Sequence, residues 1–348
     1  MEKIQIFTYA HKRPDFIELQ YESIKRYVKN NFEYVVFNNA VDDDSLREEI
    51  STICSNLGVK CVNIELEDDL RFHGGELNFI DRRYTNPNIA CSYPLVWTFN
   101  KYLSNNEEIV CILDSDMFFV SDIDLIKELG DNDLIYTPQW RKPINNQWTI
   151  HYIATGLIVL NLKKSPVLRT IDWHPGMVEG HNLDVGGRTT WLLKENPQLK
   201  KRTVAEFSIR EIFDHDPGKR IHLILDYSMN YELIIDEGKL LDLRRTGGHG
   251  FQEGFVFPDN KSFPHETEKE NYGDYLFKKT KKVFDILEDS ESDLPFPQHI
   301  AFLGFNDEED FCILHYKSGS NYLDFSTNDY NQRKTEGLKK ILNYLNKK

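Results

Sequence analysis

The chain has 348 residues, with 42 Lys or Arg against 56 Asp or Glu and a formal net charge of −14. At about 150 residues per domain this is room for two domains or one large α/β domain, and no disulfide or metal staple is needed to stabilise a core of that size. Hydrophobic residues at 40% and aromatics at 13% exclude wholesale disorder, and the acidic balance argues against a nucleic-acid partner. A small polyanion bridged by a divalent cation stays compatible with that charge. The five cysteines are odd in number and form no C-x-x-C pair, and Cys111 and Cys312 lie in the apolar runs IVCIL and FCIL. Reduced, buried thiols are expected. No stretch reads as a signal peptide and no window approaches ~18 apolar residues, so a soluble cytoplasmic protein is expected.

Residues 3–10 (KIQIFTYA) predict a first strand, and Pro14-Asp15 opens a helix with Ile17, Tyr21, Ile24 and Val28 at helical spacing. Tyr34–Phe37 predicts a second strand ending in Asn38-Asn39, followed by a helix near Asp44–Leu57 and a third strand at Lys60–Ile64. This β-α-β-α-β order implies a parallel sheet whose ligands gather at the carboxyl ends of the strands. Residues 90–103 predict a helix whose regular part Pro94 confines to the second half. Ile109–Leu113 is a continuous apolar run, as expected of a strand covered on both faces, and Gly156–Leu162 predicts another strand. The region 172–265, rich in Gly, His, Asp and Arg, reads as loops around a site. Residues 285–297 read as an acidic connector, Phe311–Leu314 as a short strand, and the end as a basic helix with Leu338, Ile341, Leu342 and Leu345 on one face.

Asp-x-Asp occurs five times, at 42–44, 114–116, 122–124, 131–133 and 214–216. Four copies sit in polar or mixed surroundings, where solvated turn aspartates are expected. Asp114-Ser115-Asp116 stands between IVCIL and MFFV, so both carboxylates leave a buried strand at the ligand-binding edge. Buried carboxylates are costly without compensation, and a divalent cation is the usual one. Along an extended chain the two would face the same side. An Asp-capped turn at the strand end is the plainer alternative.

The segments TYAHKRP, ILDSDMFF, HYIATGLIVLNLKKSP and ILHYKSGSNY together span roughly residues 3–320. They resemble metal-dependent glycosyltransferases of the GT-A fold, most of all the retaining, glycogenin-like and lipooligosaccharide galactosyltransferase branch. The late histidine departs from that branch's H-x-x-G-x-x-K-P-W pattern: Lys317 and Gly319 are present but shifted, and no Pro-Trp follows. The resemblance implies an α/β fold with a mostly parallel central sheet flanked by helices. It also implies a catalytic domain over 1–325, with 1–120 binding a nucleotide-sugar, 121–325 binding the acceptor, and a basic helix at 326–348.

By the same resemblance Mn2+ or Mg2+ bridges the carboxylates and the donor's diphosphate, Asp116 being the principal ligand and Asp114 shared between metal and ribose, with Ser115 in the donor-binding set. His315 is the implied third ligand, a strand-end histidine without metal being the alternative. An imidazole among oxygen ligands favours Mn2+. Lys317 would face the departing phosphates, or stand as a solvated loop lysine. Thr8, Tyr9 and Ala10 would underlie the nucleotide, although Tyr9 fits a core aromatic equally well. Arg13 would contact a phosphate or the base, Asn38 or Asn39 the base edge, and Arg83 or its neighbour Arg82 the diphosphate or sugar. Thr155-Gly156 would let a sugar approach the backbone. Asp184 is expected near the reacting carbon, as general base if the enzyme inverts and as an orienting group if it retains, with capping of the next helix as its alternative. Retention is favoured over inversion.

The expected function is transfer of a sugar from a nucleotide-sugar, most of all a UDP-sugar, to a hydroxyl on a saccharide, glycan, lipid-linked or protein acceptor. A sugar nucleotidyltransferase is the second reading, weakened by a glycine-free loop after the first strand. An inactive carbohydrate-binding protein of the same fold is the third. The terminal helix is expected to dock on its own domain, with peripheral contact to an anionic membrane as the alternative.

Overall fold

A computed structural model describes residues 3–65, 87–141, 150–178, 180–213, 220–226, 231–236, 239–245, 286, 299–304, 311–316 and 328–347. The chain divides into two compact units, Met1–Gln139 with His151–Val204, and Trp140–Ile150 with Ala205–Lys348.

The first unit opens with β1 (Lys3–Ala10), α1 (Asp15–Tyr27), β2 (Asn31–Asn38), α2 (Asp44–Leu57), β3 (Lys60–Asn63) and α3 (Pro87–Lys101). It continues with β4 (Ile109–Ile112), β5 (Met117–Phe119), α4 (Leu125–Leu129), β6 (Leu134–Arg141) and β7 (Ile150–Asn161). A hairpin of β8 (Gly176–Val178) and β9 (His181–Leu183), then α5 (Thr189–Glu195) and β10 (Lys201–Thr203), complete it. Its seven-stranded sheet has the order β10-β6-β7-β4-β1-β2-β3. Strands β4, β1, β2 and β3 are parallel neighbours, β6 and β10 are parallel to each other, and β7 runs antiparallel to β4. This is the mixed α/β architecture with a mostly parallel sheet flanked by helices that the sequence predicts.

The central strands read as unbroken apolar runs because both faces are covered. Ile4, Ile6, Phe7, Val35, Val36, Phe37, Val110 and Cys111 are fully buried. Helix α2 is bounded as its residues dictate: the Asp43 carboxylate accepts from the Leu46 amide, and Gly58, at φ 67°, ends it in the left-handed region.

Two expectations are corrected. Helix α3 is helical from Pro87 to Lys101 with Pro94 inside it, so the proline does not confine its regular part to the second half. Every residue from Ser92 to Phe99 is buried, and packing on all sides outweighs the hydrogen bond that the proline removes. The region 172–265, read as loops, contains β8 to β10, α5 and four further strands: β11 (Ala205–Phe213), β12 (Arg220–Asp226), β13 (Tyr231–Asp236) and β14 (Lys239–Arg245). Segments such as RIHLILD and YELIID alternate or cluster apolar residues within strand length, a signal hidden by their charged ends.

In the second unit these strands form an antiparallel sheet in which the order runs β14-β13-β12-β11-β15-β16, with β15 at His299–Gly304 and β16 at Ile313–His315. Its last element is α6 (Asn328–Leu345), whose Leu338, Ile341 and Leu342 are buried while Lys339 and Lys340 are exposed. Leu338, Ile341 and Leu342 of the apolar stripe are therefore covered by protein, while Leu345 at its end is partly exposed.

Candidate functional site

The register of the parallel strands sets the position of the carboxylate pair. Phe7 of β1 pairs with Ile112 of β4, and the Leu113 amide donates to the Phe7 carbonyl at 2.9 Å. Two residues further on, Asp114 falls level with Tyr9, at the carboxyl edge where parallel sheets hold ligands. The chain then turns. The Met117 amide donates to the Asp114 carbonyl at 3.0 Å, so Asp114 and Asp116 come from a four-residue turn rather than the extended segment that i, i+2 spacing suggested. Asp116 is 6% exposed, while Asp114 and Ser115 are partly exposed.

A side chain without any sequence signal holds this turn. Gln20, 1% exposed on α1, donates from its amide nitrogen to the carbonyls of Asp114 at 2.8 Å and Met117 at 2.7 Å. Its amide oxygen accepts from the Tyr34 hydroxyl at 2.7 Å. Ser23, one turn along, accepts from the Phe119 amide at 3.2 Å. The buried face of α1 is thus Phe16, Ile17, Gln20, Ser23, Ile24 and Tyr27. Tyr21, predicted on that face, is instead partly exposed and stacks on Tyr34. Hydrophobic periodicity misplaced the face because two of its positions are polar.

Behind the turn, the Asp114 amide donates to the Gly156 carbonyl at 3.2 Å. Gly156 has φ 141°, and a Cβ there would meet Met117 Cε at 2.9 Å. Its missing side chain makes room for Met117, which is a packing reason for the glycine distinct from the approach of a sugar.

The residues expected under a nucleotide line the carboxyl ends of β1 and β2 and are deeply engaged. Tyr9 stacks on Phe37, its register partner, with ring centroids 5.4 Å apart. Burial, together with the nearby charge of Asp114, pushes its phenol well above the ordinary range. Thr8 and Ala10 are each 1% exposed. Arg13, 6% exposed, makes a two-point bond to Asp15, Nε to Oδ1 at 3.0 Å and an Nη to Oδ2 at 2.8 Å, and stacks over Phe16. Asn38 spends its amide on the Arg47 carbonyl at 2.9 Å and on accepting from the Ala40 amide at 3.2 Å. Asn39 differs. It is 4% exposed, and its side-chain oxygen has no hydrogen-bond partner among the described residues.

Strand β7 connects this edge to Asp184. Because β7 runs antiparallel to β4, the residues before Ile158 extend past the carboxyl end of β4. Gly156 sits at Asp114, and Tyr152 lies four residues further out, where its hydroxyl donates to Asp184 Oδ1 at 2.6 Å. Asp184 does not cap the following helix: α5 has Arg188 at its N-cap and no side-chain cap. The turn after it is fixed by two glycines. A Cβ on Gly186, at φ 82°, would meet the Ile153 carbonyl oxygen at 2.2 Å, and one on Gly187 would meet Leu183 Cβ at 2.2 Å. Nearby, Asp172 Oδ1 accepts from His174 Nδ1 at 2.6 Å, and its Oδ2 forms an ion pair with Arg188, 2.8 Å from Nε. Burial raises this carboxyl, but His174 and Arg188 together hold it below the usual range.

The other Asp-x-Asp copies resolve differently. Asp43 and Asp124 cap α2 and α4. Asp133 departs from the solvated reading: it is 6% exposed and accepts from the Ser165 hydroxyl at 2.5 Å and the Lys200 amide at 2.7 Å. Residues 214–216 lie outside the described residues, as do Arg82, Arg83 and Lys317. In the second unit, His315 ends β16, pairs with Ala301 of β15 and is 9% exposed.

No protein-family model and no curated protein matches the chain. Solved structures similar to it include the galactosyltransferase LgtC in complex with donor and acceptor sugar analogs, at 18% identity, 48% of this chain, 60% of that chain and TM-score 0.32. The mannosyltransferase Ktr4p from S. cerevisiae is similar at 13% identity over 48% of this chain and 57% of that chain, TM-score 0.33. So is the mannosyltransferase PcManGT from Pyrobaculum calidifontis in complex with GDP-Man and Mn2+, at 13% identity, 57% of this chain, 54% of that chain and TM-score 0.32. The match spans about 60% of the length of the galactosyltransferase.

Proposed function

We propose that the protein is a glycosyltransferase that moves a sugar from a nucleotide-sugar, a UDP-sugar above all, to a hydroxyl acceptor with the help of Mn2+. The observation that carries this reading is the turn at the carboxyl edge of β4, which presents two carboxylates two residues apart, one of them 6% exposed. Paired carboxylate oxygens at a ligand-binding strand edge are the donor type that a divalent cation takes. On the resemblance of their segments we assign Asp114, Asp116 and His315 as its ligands. Carboxylate oxygens joined by an imidazole nitrogen suit Mn2+ better than Mg2+.

When bound, the ion supplies Lewis-acid stabilisation of the negative charge that builds on the leaving nucleoside diphosphate. Asp114, Ser115 and the ends of β1 and β2 hold the donor, with Asn39 offering an unspent amide oxygen to a donor group on the base. Lys317 is assigned to the phosphates on the resemblance of its segment, and Arg83 to the diphosphate or sugar on its charge alone. Asp184, held by the Tyr152 hydroxyl, orients the acceptor in a retaining reaction or takes its hydroxyl proton in an inverting one. The retaining outcome is the one the sequence resemblance favours. The acceptor is a saccharide, glycan, lipid-linked sugar or protein, and the site of action is the cytoplasm.

The test is UDP release from a panel of UDP-hexoses without acceptor. Release should require Mn2+ and fall by about 100-fold or more in Asp116→Asn, as loss of a metal ligand removes the charge stabilisation. UDP release that persists unchanged in chelator, or in Asp116→Asn, overturns the assignment.

A further inference from the structure

We infer that Gln20 is the positioning residue of the carboxylate turn, fixing the backbone between Asp114 and Met117 so that the two acidic side chains are presented to a divalent cation. This rests on the reading of that pair as a cation site. The amide is buried at a position that helix periodicity assigns to the core, where a glutamine is costly unless it is bonded. Here its bonding capacity is used at both ends. The nitrogen serves the carbonyls of Asp114 and Met117, at 2.8 and 2.7 Å, and the oxygen is fixed by the Tyr34 hydroxyl at 2.7 Å.

Those two carbonyls are the first and last of the turn. The carboxylates at 114 and 116 therefore hang from a segment clamped by one planar group, and the clamp is itself held by a tyrosine that is 4% exposed. Ser23 extends the hold to β5 by accepting from the Phe119 amide and donating to the Gln20 carbonyl at 2.7 Å. A rigid amide spanning the turn fixes the separation of its ends, whereas an apolar side chain would fill the space and leave both carbonyls without that donor. Groups that orient metal ligands in this way typically cost 10–100-fold in metal affinity when removed.

The experiment measures Mn2+ binding to the full chain by the paramagnetic resonance signal of the free ion, together with thermal melting and hydrogen exchange of the 113–119 segment. Gln20→Leu should weaken Mn2+ binding by about 10-fold or more and speed exchange of the segment. Ile24→Ala, on the same buried helix face but away from the turn, should lower the melting temperature and leave Mn2+ affinity unchanged, which separates positioning from general loss of stability. If Gln20→Leu fails to fold, Tyr34→Phe carries the measurement. It keeps the amide but frees its oxygen, and should weaken binding by roughly threefold to tenfold. Variants at 20 and 34 that bind Mn2+ as the wild type does, while Asp116→Asn loses it, overturn the positioning role and leave the cation site standing. Binding that Asp116→Asn does not change overturns the cation site, and the role of Gln20 falls with it.

Discussion

His151 lies against Tyr136, with Nε2 2.9 Å from the phenol oxygen, and its own carbonyl accepts from Thr190. Burial, assisted by the charge of Lys201, lowers its pKa from 6.5 to about 4. The folded protein therefore resists a proton that the unfolded chain takes up. Above the unfolded value both states are neutral and nothing is lost; as the pH falls from 6.5 to about 4 the fold loses stability, by at most about 3 kcal/mol. Thermal melts between pH 7.5 and about 4 should show this acid sensitivity in the wild type and a flatter profile in His151→Gln. Equal profiles would mean that the imidazole titrates normally. At this scale the sequence was legible where chemistry and context coincide: Asp114 and Asp116 stand out because apolar runs flank them. Gln20 does not, since a single glutamine within a helix looks the same whether it faces solvent or clamps a turn. Nor does sequence distinguish Asp133, tied to Ser165 and Lys200, from a solvated aspartate.

Helices, strands and turns make their own demands. The turn after Asp184 needs glycine at both 186 and 187, because a Cβ at either would lie 2.2 Å from its nearest neighbour, a backbone oxygen at the first and a side-chain carbon at the second. Gly186→Ala should cost about 2–4 kcal/mol, from an unfavourable φ and a backbone clash together, read as a lower midpoint in urea. A midpoint within error of wild type would show that the turn adapts freely. In α6, Leu338→Ala should cost about 2–4 kcal/mol because the side chain is fully buried. A stripe free to rest on a membrane would lose almost nothing on that change. The parallel strands were legible as apolar runs bounded by turn residues. Pro94 does not restrict helix α3 as its sequence suggests, because the helix is buried from Ser92 to Phe99, and the strands β11 to β14 are hidden in the sequence because charged residues interrupt their apolar pattern.

For the whole molecule, the mixed α/β character and the mostly parallel sheet were legible in the sequence, since these follow from element order and strand burial. The sequence did not carry the division into two units, because the second draws Trp140–Ile150 from the middle of the first and no change of composition marks that exchange. It also gave no means of seeing that β7 passes beyond β4 and so aligns Tyr152 and Asp184 with the carboxylate edge. With a net charge of −14, holding a nucleoside diphosphate would require local compensation, which a cation on Asp114 and Asp116 would supply under the proposed function. Thermal melting with UDP, with Mn2+, and with both tests this most directly. The two together should raise the melting temperature by several degrees, UDP alone should not, and Asp116→Ala should abolish the rise. Melting that stays unchanged with every nucleoside diphosphate in the presence of Mn2+, or that rises equally in Asp116→Ala, would contradict it.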